Sequence, residues 1–72
     1  MENESPETHH GSIRCYYPMK GFGFIRKSKG KDVFFFRTQA SGEEILYPGI
    51  QVKFLIKNGE KGPFAIKIER VG

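Results

Sequence analysis

An all-β fold is predicted for this chain: five short antiparallel strands curled into a small barrel. Three observations carry that prediction. Apolar and polar residues alternate with a period of two in several short segments, the signature of half-buried strands, and no segment reads as a helix of normal length. Nine glycines and four prolines in 72 residues supply the turns between them. A chain this short makes one domain and buries only about 60% of the surface its unfolded form exposes, so curling the sheet on itself is the economical way to cover its apolar side.

The elements follow in order. Residues 1–10 carry Glu2, Glu4, Glu7 and Pro6 with no periodic apolar pattern, which predicts a disordered acidic tail; the folded domain is expected over 11–72. The adjacent His9 and His10 have no third ligand and do not make a metal site. Residues 11–17 read as the first strand, with Ile13 inward and Arg14 and Tyr16 outward; strict alternation also turns Cys15 inward. Pro18, Met19 and Lys20 turn the chain into a second strand over 21–26. A basic connection, Ser28-Lys29-Gly30-Lys31, leads to a third over 32–37. Between 38 and 47, Ser41 and Glu44 have capping-box spacing, compatible with a single helical turn before Pro48-Gly49 or with a solvated loop. Val52, Phe54 and Ile56 alternate with polar residues in the fourth strand, although Leu55 interrupts its polar face. Asn58-Gly59 signals a turn extended by Glu60-Lys61-Gly62-Pro63, and the fifth strand runs over 64–71 with Ile66 and Ile68 inward. The predicted core is Ile13, Ile25, Val33, Phe35, Val52, Phe54, Ile56, Ile66 and Ile68.

Charge is unevenly distributed. All 12 Lys and Arg residues, and 5 of the 8 acidic ones, lie beyond residue 10, so the folded part carries +7 and the acidic tail brings the whole chain to +4. A cationic surface attracts polyphosphates and speeds encounter with them. One cysteine, Cys15, allows neither an intramolecular disulfide nor a multi-cysteine zinc site. No apolar run approaches 18 residues and no signal sequence is visible, so no membrane association and a reducing cytoplasm are expected.

The stretch around which the chain is organised is Lys20-Gly21-Phe22-Gly23-Phe24-Ile25, answered by Val33-Phe34-Phe35-Phe36. By alternation Phe22 shares a face with Phe24, and Phe34 with Phe36, while Ile25, Val33 and Phe35 lie behind. If the two segments pair, four phenylalanines make one aromatic surface. Ile25 and Val33 suit a small interior, which puts the phenylalanines outside, where exposure to water is costly unless a ligand covers them. Unpaired nucleobases are the fitting cover, each stack contributing about 1–3 kcal/mol. Gly21 and Gly23 are expected to let bases and sugars approach the strand.

These residues resemble the cold-shock domain, a small five-stranded Greek-key barrel of the OB type found in bacterial cold-shock proteins and Y-box proteins. Residues 20–25 read as its first ribonucleoprotein motif and 32–36 as its second. Gly11-Ser12-Ile13-Arg14 matches the opening strand, and Gly49, Val52, Phe54, Ile56, Gly59, Lys61-Gly62-Pro63 and Ala65 match the C-terminal hairpin. The resemblance spans 11–71 and implies binding of single-stranded RNA or DNA by stacking, without a cofactor, a small-molecule substrate or an enzymatic step, as a monomer. Carried over by position, Lys20, Phe22, Phe24 and Phe34 match binding residues, and Arg14 stands where a surface lysine is usual. Tyr16, Phe36, Arg37, Lys61 and Phe64 complete the expected binding set. Cys15 occupies the place of a tryptophan on the binding face, which alternation contradicts and a bulge would reconcile. Phe36 replaces a histidine, Arg37 an aromatic position, and Phe64, where glutamine is common, is either a further platform or end-of-barrel packing. The 38–48 loop is shorter than in bacterial members, which often take an aromatic contact from it.

The function expected is single-stranded nucleic-acid binding, as an RNA chaperone or a regulator of transcription or of messages. The alternative is a protein-interaction barrel whose aromatic face docks a partner. No Ser-His-acid set, metal cluster or paired carboxylates can be assembled from the folded segment, so catalysis is not expected.

Overall fold

In the computed structural model, which describes residues 8–71, five strands close a barrel: β1 (His9–Tyr17), β2 (Phe22–Lys27), β3 (Val33–Phe36), β4 (Gln51–Gly59) and β5 (Gly62–Arg70). Their order around the barrel is β1-β2-β3-β5-β4, and β4 returns to β1 through the pairs His9–Phe54 to Ser12–Gln51. Neighbours are antiparallel except β3 and β5, which run parallel with Phe34 beside Phe64. The expected all-β, five-stranded barrel is therefore the fold. Its strands start and stop within about two residues of the expected positions.

Two stretches differ from expectation at the ends of elements. The sequence pattern puts the histidines at 9 and 10 in the tail, but both are in β1, where His9 stacks on Phe54 at 5.9 Å between ring centroids; residues 1–7 of the expected tail lie outside the described residues. The segment from β3 to β4 holds two short 3₁₀ turns, Arg37–Gln39 and Glu43–Ile45. The second contains the helical turn that the Ser41/Glu44 spacing allows, but Gly42 is its N-cap and no side chain caps it.

The core is Ile13, Ile25, Val33, Phe35, Ile45, Leu46, Val52, Phe54, Ala65 and Ile68, all buried. All but Ile45, Leu46 and Ala65 follow from alternation. Ile45 and Leu46 come from the crossing segment, held against β1 where Ile13 N–H donates to the Ile50 carbonyl at 2.9 Å and Gly49 N–H donates to the Ile13 carbonyl at 2.8 Å.

Ile66 is expected inward and is not part of the core, whereas its neighbour Ala65 is fully buried. The cause is a bulge. Lys53 pairs with Glu69 and Leu55 with Ile66, so Lys67 and Ile68 together oppose Phe54, and Lys67 takes a positive φ of 53°. One extra residue inverts the facing of everything before it. Ile56, on the unbulged strand, keeps its expected side and is half-buried against the core.

A second bulge lies in β1. Ile13 pairs with Ile25 and Cys15 with Phe24, leaving Arg14 as the extra residue. It carries Cys15 and Tyr17 outward and Tyr16 inward, so the expected outward orientation of Tyr16 is corrected: its ring stacks on Phe35 at 6.1 Å, nearly parallel at 16°.

Gly23 also has a different purpose from the one expected. It faces the interior, where a Cβ would lie 2.3 Å from the Cys15 carbonyl oxygen and 2.8 Å from Cζ of Phe35. The missing side chain makes room for the Phe35 ring, not for a base. Gly21 serves the turn, at φ 76°. Replacing Gly23 by Ala is expected to cost about 1–3 kcal/mol, the usual penalty of overpacking. A urea-unfolding midpoint unchanged in Gly23→Ala would show that the open space beside Phe35 is not needed.

Candidate nucleic-acid interface

The pairing of β2 with β3 places Phe22 opposite Phe36 and Phe24 opposite Phe34. Cross-strand partners lie on the same side of a sheet. The β1 bulge adds Tyr17 beside Phe22 and Cys15 beside Phe24, and the parallel β3–β5 pairing adds Phe64 beside Phe34. Two rows therefore cross the outer surface. One is Tyr17, Phe22 and Phe36; the other is Cys15, Phe24, Phe34 and Phe64, continued on β4 by Lys57 opposite Phe64.

The rings brace one another. Centroids are 5.4 Å apart for Tyr17 and Phe22, 5.4 Å for Phe22 and Phe34, 5.7 Å for Phe24 and Phe34, and 4.7 Å for Phe34 and Phe36, the last pair perpendicular. Tilted and edge-to-face arrangements at these separations are the favoured ones. Phe22, Phe24 and Phe34 are half-buried by their neighbours while Phe36 is 49% exposed. Rings packed against one another in this way keep little side-chain freedom.

At one end of the surface the β4–β5 turn forms a groove of about 590 Å³, lined by Phe34, Phe36, Phe64 and residues 59–63. The Phe64 ring rests on Gly59, where a Cβ would come within 2.9 Å of it. Of the two options left open for Phe64, the packing is visible in its contact with the hairpin, while a half-buried flank lines the groove. Lys61 stands at the tip of that turn. At the opposite end Lys20 is exposed in the turn whose amides, Lys20 N–H and Gly21 N–H, donate to the Tyr17 carbonyl at 3.0 and 2.8 Å.

The arginines of the expected set are engaged by carboxylates. Arg14 makes an ion pair with Asp32 across β2, which raises the guanidinium's already high pKa through hydrogen bonding and charge. Arg37 Nη1 lies 3.6 Å from Oε2 of Glu43, the oxygen that also accepts the Tyr16 hydroxyl hydrogen bond at 2.7 Å. An exposed pair such as Arg37–Glu43 contributes little to stability. Tyr16 titrates above the ordinary tyrosine value, because partial desolvation and the bond to Glu43 disfavour its phenolate. Tyr17 is shifted the same way, chiefly by hydrogen bonding to Cys15.

The structure thus brings together Phe22, Phe24, Phe34, Phe36 and Phe64, with Lys20 and Lys61 at the margins and Arg14 and Arg37 in ion pairs beside them. Tyr16 is turned away from this surface. Tyr17 and Lys57 belong to it without having been expected there; the bulge that exposes Tyr17 has no mark in the alternation, and Lys57 becomes a neighbour only through its pairing with Phe64.

Comparison with known proteins places this geometry. The model of the 'Cold-shock' DNA-binding domain matches residues 9–71. The chain belongs to the cold-shock domain family. Cold-shock domains generally bind nucleic acid. The major cold shock protein of Streptococcus pyogenes serotype M6 is 38% identical over 63 residues, covering 85% of this chain and 94% of that protein. The cold shock-like protein CspC of Buchnera aphidicola is 43% identical over 61 residues, covering 81% and 88%. Among solved structures, the one described as Drosophila Unr CSD456 superposes with a TM-score of 0.77 at 25% identity; it covers 93% of this cold-shock domain, which spans 28% of that longer chain.

The raised tyrosine has a measurable consequence. A folded-state pKa above the unfolded value stabilises the fold below the unfolded tyrosine pKa of about 10, and that contribution disappears as pH rises through the folded value. Tyr16→Phe is therefore expected to lose stability less steeply than the unsubstituted protein above about pH 10. Parallel slopes in denaturant titrations across that range would contradict the assignment.

Proposed function

We propose that this cold-shock domain binds single-stranded RNA or DNA by stacking unpaired bases on Phe22, Phe24, Phe34 and Phe36, with Tyr17 and Phe64 extending the platform. The observation that carries this reading is one continuous surface of mutually braced rings, open on the outside of the barrel. Bases in a duplex hide the flat faces such a surface needs, so the ligand is unpaired. Lys20 and Lys61 at its margins, and Arg14 and Arg37 on exchanging carboxylate for phosphate, supply contacts to the backbone.

The energetics suit a reversible binder. Three or four stacks at about 1–3 kcal/mol each, set against the cost of association, give affinities in the micromolar range, about −8 kcal/mol. Stacking is tolerant of base identity, so sequence preference is weak. A protein of this kind holds strands apart and releases them, the action of an RNA chaperone or a regulator of transcription or messages. Because the surface is complete within one chain it acts as a monomer, and its lone thiol fits the reducing cytoplasm.

Titration of a pyrimidine-rich single strand, followed by tyrosine emission, tests the reading, since Tyr17 lies against Phe22. Phe22→Ala and Phe34→Ala are each expected to weaken binding about 5- to 150-fold, with folding verified by circular dichroism. Equal affinity for duplex, or unchanged affinity in both variants, would overturn it. Recovery of a protein partner on the aromatic surface, insensitive to salt and without nucleic acid, would favour a docking barrel instead.

A further inference from the structure

Beyond the aromatic rows, β2 keeps the same outward facing. Phe22, Phe24 and Arg26 alternate with inward Gly23 and Ile25, so Arg26 follows Phe24 at the interval that separates the two rings, roughly 7 Å at strand rise. Arg26 pairs with Ser12, and Ser12 pairs on its other side with Gln51, forming a third row across β2, β1 and β4. His10, Lys27 and Ser28 border it, and together these residues enclose a groove of about 310 Å³.

The lining has a distinctive chemistry. It offers a guanidinium, an ammonium, an imidazole, two hydroxyls and an amide; no aromatic platform beyond the imidazole and no carboxylate contributes. Such a site does not accommodate a base by stacking on phenylalanine, and it suits an anion with several oxygens: Arg presents a planar fork of donors matched to phosphate, and Lys, Ser and Gln add single donors. The Arg14–Asp32 pair spans β2 between the last aromatic row and this groove, so the two surfaces adjoin.

We propose that this groove is a phosphate-binding subsite for the backbone of the single strand as it leaves the aromatic platform, with Arg26 and Lys27 as its principal contacts. The inference rests on the single-strand reading above and extends it: stacking holds the first bases, and the third row holds the phosphates that follow. The footprint is then longer than the aromatic surface alone supports, and the added interactions are electrostatic.

Oligothymidylates of about 4 and about 9 nucleotides, both within the span OB-type barrels occupy, separate the two surfaces. In Arg26→Ala/Lys27→Ala, affinity for the longer strand is expected to fall about tenfold while that for the shorter stays within about twofold. The salt dependence of the longer strand should also flatten, by about 0.7 in log K against log salt for each phosphate that is no longer neutralised. Arg26→Gln alone should give a smaller change in the same direction. Phe22→Ala/Phe34→Ala weakens both lengths, which marks failure or success of the stacking reading independently. The subsite is overturned if both lengths lose affinity equally in the basic variants, if the salt slope is unchanged, or if polyglutamate of matched charge competes as well as the oligonucleotide. No binding by the unsubstituted protein at either length overturns both readings.

Discussion

The arrangement of this barrel turns on the space left at Gly23. The Phe35 ring occupies that space, with Cζ too close for any Cβ to coexist, and the Cys15 carbonyl closes over the same point from β1. Three strands therefore meet at one residue without a side chain. With Phe35 fixed inward, Phe34 and Phe36 must face outward; with Gly23 inward, so must Phe22 and Phe24. The aromatic surface is a consequence of how the core is packed, and Tyr16, stacked on Phe35 from β1, completes the clamp.

That coupling explains why a small domain can keep so many rings at its surface. Seven phenylalanines serve a 72-residue chain, yet only Phe35 and Phe54 are fully buried. The outer rings are not left as isolated apolar groups: Phe22, Phe24, Phe34 and Phe36 cover parts of one another, largely edge to face, and Phe64 rests on Gly59, which lowers the cost of exposure while leaving flat surface open. Charge is kept to the margins, where carboxylates pair with two of the arginines.

The parts of this architecture that can be read from sequence are those where strands run without interruption. Between 22 and 25 and between 33 and 36 alternation is unbroken, so facing, pairing and the aromatic surface all follow from the residues. Alternation fails where a bulge intervenes. Arg14 and Lys67 are ordinary polar residues, and nothing in their identity announces that Tyr16 and Tyr17, or Ala65 and Ile66, exchange sides. Only the family resemblance, by its conflict over Cys15, points to the first bulge. Ile45 and Leu46 escape because a crossing segment has no period from which burial can be inferred. The parallel neighbourhood of β3 and β5, which brings Phe64 beside Phe34, is a property of barrel closure that no local pattern encodes.

The central claim is that the outward rings, and not some other part of the barrel, receive the bases. Chemical-shift mapping with a short pyrimidine oligonucleotide addresses it directly, since each phenylalanine reports separately. The account predicts that the largest perturbations fall on Tyr17, Phe22, Phe24, Phe34, Phe36 and Phe64, while the buried Phe35 and Phe54 change little. Perturbations concentrated on the segment between β3 and β4, with the outward rings silent, would contradict it.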